Sequence, residues 1–203
     1  MAIFSGNQNH PKKGSAIKVN PVRHKHHIEA IKANLSHQPR NLCLFVLGIN
    51  TAFRANELLS LTVGQVAGLN VGSRLEVKQS KTNKYRAITI NKASYAAIQV
   101  WLHLHPKQNI PSAALFLSQK TRSAIQVPTL NRLVKSWCRS VGMNENTGSH
   151  TLRKTWGYHQ RIQGNASLPL LMAAFGHNTE NQTLDYLGIQ TDEVQALYFD
   201  LEL

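Results

Sequence analysis

Acidic residues are scarce in this chain. Ten Asp and Glu stand against 23 Lys and Arg among 203 residues, a net charge of +13. The missing counter-charge calls for a polyanionic partner, because each cation placed beside a phosphate releases condensed counterions. A membrane surface or a ribosome could supply the same anions. Cysteine is nearly absent as well: Cys43 and Cys138 fall in apolar helical patterns without metal-ligand spacing. That excludes a disulfide framework and reads as buried free thiols in a reducing cytoplasm. No run of 18 apolar residues occurs, and no apolar stretch follows Met1-Ala2-Ile3-Phe4. The sequence therefore predicts neither a membrane span nor a secretory leader. Internal repeats and low-complexity tracts are also missing.

What is present suits a globular chain, with 42% hydrophobic and 16% charged residues. The length fits one domain with a proper core, or one domain and an arm. Charge is unevenly spread. Residues 1–161 hold every Lys and Arg and four acids, a balance of +19, whereas residues 162–203 hold six acids and no cation, a balance of −6. A basic body suits nucleic acid, and an acidic, partly apolar tail suits protein.

Residues 1–22 are polar, carry Gly6, Pro11, Gly14 and Pro21, and read as a flexible basic arm. The histidines of His24-Lys25-His26-His27 come without carboxylate or cysteine, so a solvated or DNA-facing segment is preferred to a metal site. Helical spacing links Ile28, Ile31 and Leu35, and the apolar run Leu42–Ile49 predicts a buried helix. A second helix follows through Glu57-Leu58-Leu59-Ser60-Leu61, with Arg54 at or near its start. Residues 75–78 and 86–90 alternate as strands around a polar hairpin tip, and helices fit 92–104, 128–141, 150–163, 168–175, 180–186 and 191–199. The predicted fold is mainly α with a small antiparallel β-sheet, an α+β domain.

Several side chains stand out for chemistry. Arg54 precedes Glu57 by three residues, and a surface ion pair would explain it alone. Lys81 lies in the hairpin segment, with Lys78 and Lys84 as competitors. His150 and Arg153 are three apart and so share a helical face. Gly148-Ser149 offers that helix its start. Gly176-His177 lies 27 residues after His150, and Tyr186 follows nine residues after His177, in Tyr186-Leu187-Gly188-Ile189. Each has a bland structural reading: an ion pair, a solvated lysine, a core histidine, a packed tyrosine. Their order is the informative feature.

That order, with Arg54-x-x-Glu57-Leu58-Leu59-Ser60-Leu61, His150-x-x-Arg153, Gly176-His177 and Tyr186, resembles the catalytic domain of the tyrosine recombinases, the phage-type integrases. The resemblance covers about residues 22–200 and implies a DNA breaking-rejoining fold. It implies that Tyr186 is the nucleophile of a covalent 3′-phosphotyrosine intermediate and that Arg54 and Arg153 clamp the phosphate. Lys81, five residues before Arg86, aligns best with the lysine that protonates the departing 5′ oxygen. His150 is the implied base or proton shuttle, and His177, expected to open a short helix, the implied phosphate donor. Neither ATP nor metal is implied.

The resemblance further implies double-stranded DNA as partner, a homo-tetramer on DNA joined through the C-terminal tail, and accessory DNA-bending proteins. It places the chain in the cytoplasm, with the nucleoid, and among the enzymes of mobile elements. A type IB topoisomerase-like relaxase and a DNA-binding regulator of the same fold are the alternatives. Three departures accompany it. Ala52 stands where most members have glycine, a point of possible backbone strain. Lys154 stands where histidine is frequent. The resemblance includes no helical core-binding domain, so residues 23–203 resemble either the short members that consist of a catalytic domain alone or a truncated piece of a longer integrase.

Overall fold

The computed structural model describes residues 19–78, 85–189 and 191–199. Its centre is α2 (Pro39–Asn50), in which Cys43, Leu44, Phe45, Val46 and Leu47 are all buried. Pro39 occupies the first helical turn, where its missing N–H leaves no bond unmade. Around α2 pack α1 (Lys25–Asn34), α5 (Lys92–His103) and α7 (Ser149–Ile162), and α6 (Val127–Arg139) closes the core from the α1 and α7 side. Phe45 meets Trp137 of α6 edge-on at 5.9 Å between ring centroids. Gly48 permits the approach of α7, since a Cβ there would lie 2.5 Å from a Leu152 methyl.

The sheet has two antiparallel strands, β1 (Arg74–Lys78) and β2 (Tyr85–Thr89), with Val77 opposite Arg86 and Lys78 opposite Tyr85. Leu75 and Val77 face the core, as strand alternation requires. On β2 the inward position is taken by a cation, Arg86, which is buried. Lys81 and its competitor Lys84 lie outside the described residues.

Two further elements carry no helical period that the sequence would reveal. The short α4 (Val63–Val66) is capped by Thr62, whose side chain accepts from the Gln65 amide. The stretch 104–126 is irregular yet buries Leu115, Phe116, Leu117 and Ile125. It is tied by the Trp101 indole N–H donating to the Leu115 carbonyl at 2.8 Å, and by isolated bridges Thr62–Ala114 and Leu117–Ala124.

Residues 19–22 correct the expected limit of the arm. Val22 is fully buried, its amide donates to Thr155 Oγ1 at 2.8 Å, and the Asn20 amide donates to the Asn146 carbonyl. A β-branched residue with a pocket against α7 has reason to dock, whatever precedes it. At the other end, α10 (Thr191–Phe199) meets α7 through an Arg161–Glu193 ion pair at 2.5 Å, and Val194, Tyr198 and Phe199 are exposed. Among the described residues no helix is long and apolar enough to cross a membrane.

Candidate functional site

The site forms where the C-terminal end of α2, the start of α3 (Ala55–Leu59), strand β2, helix α7 and the pair α8 (Leu168–Phe175) and α9 (Glu180–Leu187) meet. Arg54 is the N-cap of α3. Glu57, three residues on, accepts its backbone amide at 2.7 Å and its guanidinium at 2.9 Å. The first bond satisfies a helix-start donor, and the second holds the side chain. Glu57 is buried, and its carboxylate also faces Arg86 at 3.6 Å and Arg153 at 3.8 Å. Three guanidinium groups thus surround one carboxylate, leaving a surplus of positive charge. Arg54, at 38% side-chain exposure, is the open member of the three; Arg153 is 2% exposed.

Arg153 projects from α7 and donates to the carbonyls of Ala52 and Phe175, the latter at 2.5 Å. Its guanidinium also lies 4.9 Å from the Phe175 ring centroid and 5.6 Å from that of Tyr186. Burial lowers its pKa to about 10, against the opposing pull of Tyr186 and Glu57. It remains a cation at neutral pH. Ala52, whose carbonyl it engages, has φ +55°, in the left-handed region. The strain expected where the resemblance calls for glycine is therefore present, and the Arg153 bond helps to hold it.

The start of α7 is built differently from a serine cap. Ser149 is the first helical residue, Asn131 of α6 accepts its amide at 2.9 Å, and Thr151 accepts the Gly148 amide at 3.0 Å. One turn carries His150 and Arg153 to the same neighbour. His150 Nδ1 lies 3.0 Å from the Tyr186 hydroxyl. Desolvation first, and then the Arg153, Lys154 and Arg54 cations, push the His150 pKa below its ordinary value of 6.5. His150 is therefore mostly neutral at pH 7 and able to accept a proton. Burial raises the Tyr186 pKa above 10, although Arg153 and Arg54 pull the other way. The hydroxyl is consequently protonated at rest.

His177 does not open a helix. Gly176 ends α8 at φ +60°, Thr179 caps α9 by accepting the Gln182 amide, and His177 stands in the turn between. Glycine's freedom at positive φ is what allows so sharp a break. The imidazole stacks on Phe175 at 5.0 Å, meets the Tyr186 ring edge-on at 5.3 Å, and pairs through Nδ1 with Thr183 Oγ1 at 3.0 Å. Burial and then the cations Arg153, Arg54 and Arg86 lower its pKa to about 4. A neutral ring held by one nitrogen leaves the other for a ligand.

The structure brings together five of the six sequence-predicted residues: Arg54, His150, Arg153, His177 and Tyr186. Lys81 belongs to segment 79–84, outside the described residues. Three participants went unassigned. Glu57 was legible as the acid of the Arg54 motif. Lys154, noted only as a departure, places Nζ 5.2 Å from the Tyr186 ring centroid. Arg86 donates to the carbonyls of Ala174 and Phe175; its signal was a charge at an inward strand position. Such a constellation of guanidinium groups, neutral imidazoles and a hydroxyl can bind a phosphate and accept a proton from the phenol.

Comparison with known proteins bears on the family and the fold. Residues 23–193 match the phage integrase family. The probable integrase/recombinase YoeC of Bacillus subtilis is 32% identical over 183 residues, covering 89% of this chain and 95% of that protein. The tyrosine recombinase XerC of Pseudomonas fluorescens is 28% identical, covering 78% of this chain. The chain spans 51% of that XerC, about half its length. The crystal structure of XerA recombinase shares the fold with a TM-score of 0.75 at 17% identity, over 93% of this chain and 66% of that one. The XerH site-specific recombinase bound to palindromic difH substrate gives 0.67 at 23% identity, over 89% and 53%. With a family match that spans most of its length, and a relative of its own size at 32% identity, this chain belongs to the phage integrase family.

Proposed function

We propose that the chain is a site-specific DNA recombinase that cleaves and rejoins double-stranded DNA through Tyr186. The observation that carries the reading is the Tyr186 hydroxyl 3.0 Å from a neutral His150, beside the Arg54 and Arg153 cations. A phenol is a weak nucleophile until a base and nearby cations assist it. In the forward step, Tyr186 Oη attacks phosphorus, its proton passes to His150, and a 3′-phosphotyrosine bond replaces the bond to the 5′ oxygen. Arg54, Arg153 and His177 bind the non-bridging oxygens as charge develops. Lys81 is assigned the proton for the departing 5′ oxygen, on its place five residues before Arg86. Attack of a partner strand's 5′ hydroxyl reverses the step and completes the exchange.

Residues 23–203 then form the catalytic domain, acting in the cytoplasm on its DNA, with accessory bending proteins where a site requires them. The tetramer would use α10. Its exposed Val194, Tyr198 and Phe199 and its acidic surroundings fit a neighbour's basic body.

The test is covalent capture. Duplexes of randomised sequence, each with one nick, are incubated with the chain and resolved under denaturing conditions. Wild type should give a protein–DNA adduct whose nucleotide maps to Tyr186. Tyr186→Phe should bind DNA equally and give none; an undiminished adduct from that variant would sink the assignment.

A further inference from the structure

One buried cation close to the site, Arg86, is used by none of the proposed steps. Arg86 is buried on β2. Its guanidinium donates to the carbonyls of Ala174 and Phe175, and its Nε faces Glu57. Those two carbonyls end α8, immediately before Gly176-His177, and helix C-termini favour cations. The Phe175 carbonyl is shared with Arg153, and Glu57 is shared with both Arg54 and Arg153. One side chain therefore fixes the turn that carries His177, the carbonyl that orients Arg153 and the carboxylate that orients Arg54. Only a fork can do this, because a lysine offers a single charged centre where three directions are required.

Resting on the recombinase reading above, we infer that Arg86 is a positioning residue for the phosphate clamp, acting through the Phe175 carbonyl and Glu57 and never touching DNA. Its place on β2 offers a competing role. Arg86 lies five residues after Lys81, so it could act by holding the hairpin segment that delivers the leaving-group proton. The bonds to the Ala174 and Phe175 carbonyls and the approach to Glu57 favour the clamp, because all three belong to the Arg54–Arg153–His177 side of the site.

Substrate chemistry separates these roles. The duplex on which wild type forms its adduct is prepared in three forms: with an ordinary scissile phosphate, with a neutral methylphosphonate, and with sulfur as the 5′ leaving atom. Arg86→Lys should slow adduct formation on the ordinary phosphate by about 10²-fold, the loss expected of a misplaced reacting group, with DNA affinity retained. On methylphosphonate, where a non-bridging oxygen's charge is gone, the deficit should largely disappear. Sulfur at the leaving position should not restore the rate. An equal deficit on phosphate and methylphosphonate overturns the inference, as does rescue by sulfur alone, which would assign Arg86 to the hairpin. Thermal melting checks folding; if Arg86→Lys melts below the assay temperature, Arg86→Gln repeats the comparison. Absence of any adduct with wild type would overturn the recombinase reading itself, whereas a fast Arg86→Lys beside an active wild type overturns only this inference.

Discussion

Gly157 offers a sharp test of how the site is held. It lies mid-way along α7, where alanine is intrinsically better than glycine by about 1 kcal/mol. A Cβ at this position would nevertheless stand 2.4 Å from Phe175 Cζ and 3.0 Å from Cε2, well inside contact distance. Phe175 has no room to yield. It is fully buried, with Trp156 edge-on at 5.4 Å, His177 stacked at 5.0 Å, Tyr186 at 5.1 Å and Arg153 over its face. Overpacking of this kind costs about 1–3 kcal/mol, which outweighs or cancels the gain in helix propensity. Gly157→Ala should therefore lower stability by up to about 2 kcal/mol, or roughly 4–8 °C in Tm for a chain of this size. The larger effect should fall on chemistry. A shift of the Phe175 ring carries His177 and Tyr186 with it, and a misplacement of about 1 Å can cost about 10²-fold in rate. Melting curves and single-turnover adduct formation measure the two losses, with Gly68→Ala as control because nothing lies within 4 Å of its Cβ position. A Gly157→Ala protein that melts higher and cleaves normally would refute the packing account.

Three other outcomes are expected. Arg54→Ala should lose about 10²–10³ in cleavage rate with little change in Tm, since the side chain is partly open; Arg153→Ala should lose a similar factor and also destabilise, because the Ala52 and Phe175 carbonyls lose a buried donor. Equal Tm changes in the two variants would contradict this division. Cleavage should rise with pH through a value below 6.5 as His150 becomes neutral, and a His150→Gln variant with an unaltered profile would remove the base assignment. His177, with its folded pKa lowered to about 4, disfavours protonation of the native state, so stability should fall as pH drops from 6.5 towards 4. Denaturant melts of wild type and His177→Gln should show that extra slope only in wild type.

The helices were legible because their apolar residues recur at 3.6, and α5 to α9 begin and end within two residues of the sequence reading. The order of motifs pointed to Tyr186 and His150 because each sits in a local pattern that survives folding. Position 86 was different. Its meaning depends on carbonyls 88 and 89 residues away, which no local pattern displays. His177 was assigned to a helix start although Thr179-x-x-Gln182 already spelled a cap two residues later. The stretch 104–126 hides its order for the opposite reason: long-range bonds, rather than periodicity, set its path.

Among the described residues the buried apolar side chains divide into two clusters, and the division bears on motion. A large one spans α1, α2, α5, α6 and the sheet; a small one holds Ala52, Leu171, Phe175 and Leu187, with Trp156, Ala166, Leu168 and Tyr186 against it. At about 1.5–3 kcal/mol per large buried side chain, apolar burial in the small cluster holds α8 and α9 less firmly than the large one holds α2, and the Arg86 and Arg153 bonds to the end of α8 supply the rest. Such a unit is expected to open by itself, ahead of global unfolding. Amides of residues 171–187 should thus exchange with solvent deuterium through a sub-global opening while those of α2 stay protected. On that expectation Tyr186, the proposed nucleophile, rides on the part of the molecule that is released without dissolving the rest.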